Sequence, residues 1–76
     1  MPLFWLTYKH GDDVEVIIQP ARHLIEARLR AQVRGQDGTF GEGQELDTKT
    51  AAKIPKKLIG RSLNSKEAAT LLGRLA

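Results

Sequence analysis

Polar and apolar positions change period along this 76-residue chain, alternating near the N-terminus and recurring at helical spacing after Pro20. In the first segment Phe4, Leu6 and Tyr8 fall on one face of a strand, with Leu3, Trp5 and Thr7 on the other, the alternation of a pleated backbone rich in β-favouring side chains. Val14, Val16 and Ile18 share one face of a second segment, with Glu15, Ile17 and Gln19 opposite. His10-Gly11-Asp12-Asp13 between them is a turn signal, since aspartate bonds its own backbone there. The pattern predicts an antiparallel hairpin over residues 3–19. Two strands alone are marginal in water, so other elements must cover them.

Pro20 cannot continue a central strand but suits the first turn of a helix. Ala21 to Arg34 then runs without a breaker, and Gly35 stands where a helix ends. A helix over residues 20–34 is predicted. At 3.6 residues per turn it carries one apolar stripe of Ile25, Leu29 and Val33 and a second of Leu24, Ala27 and Ala31. Arg28 and Gln32 project between the two, and Glu26 with Arg30 makes a surface pair four apart. Residues 35–46 form a glycine-rich acidic loop with room for a third strand around Thr39 to Leu46.

Asp47 is placed to cap a short helix through Lys53, and Ile54 before Pro55 marks a break. Pro55 opens another short turn that Gly60 closes. Asn64 with Glu67 makes a capping box, and Leu63 with Ala68 a hydrophobic staple. Ala68, Leu71, Leu72 and Leu75 then give the last helix an apolar side. The expected fold is α+β: a hairpin, with room for a third short strand, packed against one longer helix and two or three short C-terminal ones. No repeat or second domain is visible, so residues 1–76 read as a single small domain. The stretch from Ile59 through Ala68 to Leu71-Leu72 resembles the small C-terminal repeats of bacterial type I topoisomerases. Capping followed by an amphipathic helix accounts for that resemblance, and the further strand of the repeat is missing.

Charge changes the picture more than composition does. Hydrophobic residues make up 41% of the chain, enough for a packed core, yet a domain this small buries only about 60% of its unfolded surface. Residues 35–47 carry Asp37, Glu42, Glu45 and Asp47 and no basic group, while residues 48–76 carry seven lysines and arginines against Glu67 alone. Such segregation steers anionic partners. The apolar run Leu3-Phe4-Trp5-Leu6 is far too short to cross a bilayer, which makes a cytoplasmic protein without membrane contact the expectation.

Candidate chemistry is sparse. The absence of cysteine excludes disulfides, thiolate zinc sites and thiol catalysis. His10, Asp12, Asp13 and Glu15 offer metal-ligand types, but the turn explains them. His23 reads as a solvated histidine without the positioned partner a general base needs. Gly38, Gly41 and Gly43 lack the spacing and following lysine of a phosphate loop. Asp37 and Thr39 open like a calcium loop, but Thr48 stands where its glutamate belongs. No catalytic, cofactor-binding or metal-ligating residue is assigned, and an enzyme is not expected.

Binding readings remain. Leu3, Trp5 and Ile17 form a candidate interface for a protein partner or a second copy, because a helix on the Phe4 face leaves them needing cover. Lys53, Lys56, Lys57 and Arg61 are candidate phosphate contacts beside an expected helix start, and hence for nucleic acid. Aromatic side chains after Tyr8 are limited to Phe40, so base stacking is poor. Arg28 and Gln32 are candidate anchors in a groove between helix and hairpin.

Overall fold

A computed structural model describes residues 1–75. Strands β1 (Leu3–His10) and β2 (Asp13–Pro20) form the hairpin, followed by helix α1 (Leu24–Val33) and strand β3 (Thr39–Glu45). Helix α2 (Thr48–Ala52), a 3-10 turn (Lys56–Leu58), strand β4 (Ser62–Asn64) and helix α3 (Ser65–Leu75) complete the described chain. The four strands make one antiparallel sheet in the order β3-β1-β2-β4. The fold is α+β, as the two periods imply.

Register decides which side chains share a face. Leu6 lies opposite Ile17 and Trp5 opposite Ile18. One face therefore carries Phe4, Leu6, Tyr8 and Ile17, packed against Ala27 and Ala31 of α1. The other carries Leu3, Val16 and Ile18, packed with Ile54, Leu63 and the α3 residues Ala68 and Leu71. Both faces of the sheet are thus covered.

That arrangement corrects the expected hairpin interface. Ile17 does not lie with Leu3 and Trp5: pairing residue 6 with residue 17 sends them to opposite faces. Leu3 and Ile17 are buried and Trp5 is half-buried. The C-terminal helices supply the cover that the strand pattern left open.

The helix start is corrected too. Pro20 is the last residue of β2, across from Leu3, at a strand end where its missing N–H interrupts no ladder. His23 takes the N-cap position with extended backbone, and its Nδ1 accepts a hydrogen bond from the Glu26 amide at 3.2 Å. The histidine read as merely solvated thus satisfies a free N–H at the helix end. The third strand forms as anticipated and pairs with β1, with an irregularity at Thr7/Tyr8.

The C-terminal half follows its local signals and adds one strand. Asp47 caps α2 by accepting from the Thr50 amide at 2.7 Å. Asn64 and Glu67 form the capping box, with bonds of 2.8 and 3.2 Å. Strand β4 was not visible in the pattern, because its three residues double as the lead into that box. Backbone geometry delivers it: the Gly60 amide bonds the Ile18 carbonyl at 2.7 Å with φ at +78°. A side chain there would be strained by that φ and would collide with the Arg34 guanidinium, whose Nη1 donates to the Gly60 carbonyl.

Two carboxylates, the half-buried Glu26 and the exposed Asp47, are expected to make the fold sensitive to acid. Glu26 accepts from the Arg22 amide at 3.0 Å and from its guanidinium at 3.0 and 3.1 Å, with Arg30 at 3.4 Å. These bonds, led by that to the Arg22 backbone, hold the Glu26 carboxyl below its ordinary range. The Thr50 amide does the same for Asp47. A carboxyl depressed in the folded state stabilises above its unfolded value, about 4, and that stabilisation is lost as pH falls through the lower folded value. The urea midpoint is therefore expected to drop below about pH 4.5. A Glu26→Gln/Asp47→Asn double variant is expected to start lower at pH 7 and to lose less on acidification. Superimposable pH profiles for the two proteins would contradict this.

Candidate functional site

α1 sits on the sheet through its smallest side chains. Ala27 and Ala31 are fully buried, whereas Ile25, Leu29 and Val33 are 68%, 57% and 87% exposed. Of the two stripes the pattern offered, the sheet takes the small one. The physical reason is volume: Phe4, Leu6, Tyr8 and Ile17 already fill the face beneath, so only alanines let the helix backbone close on it. Leu24 covers the remaining edge. At 100° per residue the large aliphatic stripe then points directly away from the core.

Beside this stripe runs a groove of about 420 Å³ between α1 and the β1/β3 edge. Phe40 forms its floor, in an edge-to-face contact with Tyr8 at a centroid distance of 5.5 Å and 68° between rings. Arg28 lies over the Phe40 ring with its guanidinium carbon 4.0 Å from the centroid, a cation–π stack. Gln32, Ile25 and Leu29 form the helix wall. Arg28 and Gln32 thus meet in a groove between helix and sheet. Among the described residues no carboxylate lies within ion-pair distance of Arg28. Burial pushes the Tyr8 phenol above its ordinary value, and the nearby Arg28 cation opposes the rise.

The far end of the groove is held by Gln36. Its Oε1 bonds His10 Nε2 at 2.8 Å and accepts from the Gly38 amide at 2.9 Å, and its Nε2 donates to Glu15 at 3.3 Å. His10 also approaches Glu15 and Asp37 at 3.6 Å each. Asp12 and Asp13 stay exposed in the turn. Among the described residues no group of three or more His, Asp or Glu side chains is placed to hold a metal ion.

Arginines rim the outward side of α1. Arg28 stands on one flank of the stripe and Arg30 on the other, with Arg22 before the helix and Arg34 at its C-cap. The one acidic residue of the helix, Glu26, is engaged by Arg22 and Arg30. The rim therefore presents net positive charge around an aliphatic ridge.

The expected phosphate set is arranged differently from its pattern. Lys53, Lys56, Lys57 and Arg61 are all exposed, and among the described residues none joins an ion pair. The expected helix start is a single 3-10 turn of three residues, with the Leu58 and Ile59 amides bonded to Pro55 and Lys56 carbonyls. No helix N-terminus is presented there. Lys57 instead meets Lys66 and Arg74 of α3 around Leu58, Leu63 and Leu71 in a shallow cleft. The signal for that grouping was present as Lys66, Thr70 and Arg74 at four-residue spacing.

Among the described residues no helix is long and apolar enough to cross a membrane. Compared with protein-family models, curated proteins and solved structures, the chain matches none of them.

Proposed function

We propose that this chain is a small non-catalytic interaction module that docks a protein partner on the outward side of α1. The observation that carries the reading is the inverted helix, with alanines against the sheet and Ile25, Leu29 and Val33 in solvent. Burying an aliphatic side chain is worth about 1.5–3 kcal/mol, so leaving three aligned ones exposed forgoes several kcal/mol that an interface would recover. Arginine and aromatic side chains at the edge of such a ridge are the types that dominate binding energy, and Arg28 and Phe40 stand there. A ten-residue helix is a short platform, which suits a transient contact more than an obligate one. The hairpin contributes only as support: Tyr8 packs beneath Phe40 at the groove, while Leu3 and Ile17 lie in the core.

A second reading, nucleic-acid binding through Lys53, Lys56, Lys57 and Arg61, is supported by four exposed cations without ion-pair partners among the described residues. One set of amide ¹⁵N–¹H spectra separates the two. Proteins retained from extract by the wild type, but not by an Ile25→Ser/Leu29→Ser/Val33→Ser variant, are titrated back as purified material. Shifts confined to residues 22–36 and Phe40 are the expected result. Retention independent of the triple substitution overturns the α1 reading. Shifts at residues 49–61 with a mixed-sequence DNA duplex, fading near physiological salt, favour the second reading, because phosphate contact releases counterions.

A further inference from the structure

From the rim and groove of α1 we infer the chemistry of the partner: an acidic amphipathic peptide segment whose apolar side covers Leu29 and whose carboxylate seats on Arg28. This rests on the docking reading of α1 and narrows it. Three observations converge on it.

The first is the state of Arg28. A guanidinium offers a planar fork of donors that matches a carboxylate. That of Arg28 is oriented by the Phe40 ring 4.0 Å away and, among the described residues, has neither a hydrogen bond nor an ion pair. Stacking fixes the plane and so lowers the entropy lost on forming a two-bond carboxylate pair. The one carboxylate among the groove residues, Asp37, lies beside His10 at 3.6 Å and outside ion-pair distance of Arg28.

The second is the wall around it. Tyr8, Gln32 and Gln36 add polar groups while Ile25, Leu29 and Phe40 supply apolar ones. A side-chain carboxylate next to an aliphatic residue satisfies both kinds. The cavity is concave, which fits an inserted side chain rather than a flat surface.

The third is the charge of the rim. Arg22, Arg28 and Arg30 flank the ridge, Glu26 is already engaged by Arg22 and Arg30, and Arg34 bonds the Gly60 carbonyl. Two copies of α1 facing each other would bring these arginines together, and such like-charge juxtaposition disfavours self-pairing. An acidic partner removes the repulsion and gains faster encounter.

The test uses three synthetic helix-forming peptides with one leucine seam, flanked by Glu, by Gln or by Lys. Amide shifts report the site, and fluorescence anisotropy reports affinity. The Glu peptide is expected to shift residues 22–36 and Phe40 and to bind at least about tenfold tighter than the Gln peptide. Arg28→Gln is expected to erase that preference, and Arg28→Lys to restore it only in part, since an ammonium lacks the fork. Equal affinity for the Glu and Gln peptides, or a preference that survives Arg28→Gln, overturns the carboxylate seat while leaving α1 as a docking face. No shift with any peptide at millimolar concentration overturns both. A dimer in sedimentation that the Leu29→Ser substitution disrupts would assign the face to a second copy. Tighter binding to phosphatidylserine vesicles than to the Glu peptide would assign it to a membrane surface. Either result overturns the inference.

Discussion

A Leu6→Ala variant is expected to lose about 3–5 kcal/mol of folding free energy. Leu6 is fully buried on the central strand β1, across from Ile17 on one side and Gly43 on the other. Gly43 carries no Cβ, and one built there would collide with Leu24 and press on Leu6 and Phe40. The site is thus closed by the backbone of β3 as well as by α1, and it cannot collapse around a missing isobutyl group. Neighbours on two strands and a helix would have to move together, so the cavity term adds to the lost transfer energy. A domain of this size holds in total about 4–11 kcal/mol. The substitution is therefore expected to remove between about a quarter and all of the folding free energy. Urea unfolding followed by Trp5 fluorescence measures it, and a loss below about 1 kcal/mol would show that Leu6 does not sit at a closed crossing.

The second large effect contrasts the two sides of α1. Ala31→Leu inserts three carbons between a helix and a sheet already in contact, and overpacking of this kind costs about 1–3 kcal/mol or more. Leu29→Ser, two residues away, removes a larger side chain from solvent-facing surface and is expected to stay within about 0.5 kcal/mol. Size alone would order them the other way, since deleting leucine usually damages a protein more than adding carbons to alanine. Unfolding midpoints for Ala27→Leu, Ala31→Leu, Leu29→Ser and Val33→Ser decide the matter. If the serine variants are the damaged ones, α1 presents its other side to the sheet. The docking face and its carboxylate seat then fall together.

Much of the fold was legible because its signals are local. Two β-favouring runs, residues 3–9 and 14–19, about a turn signal wrote the hairpin, and Asp47, Asn64 and Glu67 wrote two helix starts through bonds spanning three residues. Where such signals competed, the pattern read less well. Pro20 satisfies the rule for a helix start and that for a strand end, and pairing with Leu3 settled it. Strand β4 was illegible because three residues carry no period, and its partner β2 lies more than forty positions away in the chain.

The candidate site shows the same division. Arg28 and Gln32 were placed between two stripes by helical spacing, and the groove they line follows from that placement once β3 brings Phe40 alongside. Ile25, Leu29 and Val33 were equally visible as a stripe, but spacing assigns no stripe to the core. The hairpin residues Leu3, Trp5 and Ile17 fared worse, since one shift in pairing exchanges the faces of a strand.

By itself the sequence determined the hairpin, the caps at Asp47 and Asn64, the α+β class and the segregation of charge. Each of those depends on interactions within a few residues, where propensity and periodicity act. Only the tertiary structure decided which side of α1 faces the sheet, which residues share a sheet face and where the free cations gather. Those depend on how much volume the opposing surface has already filled and on registers set by distant parts of the chain.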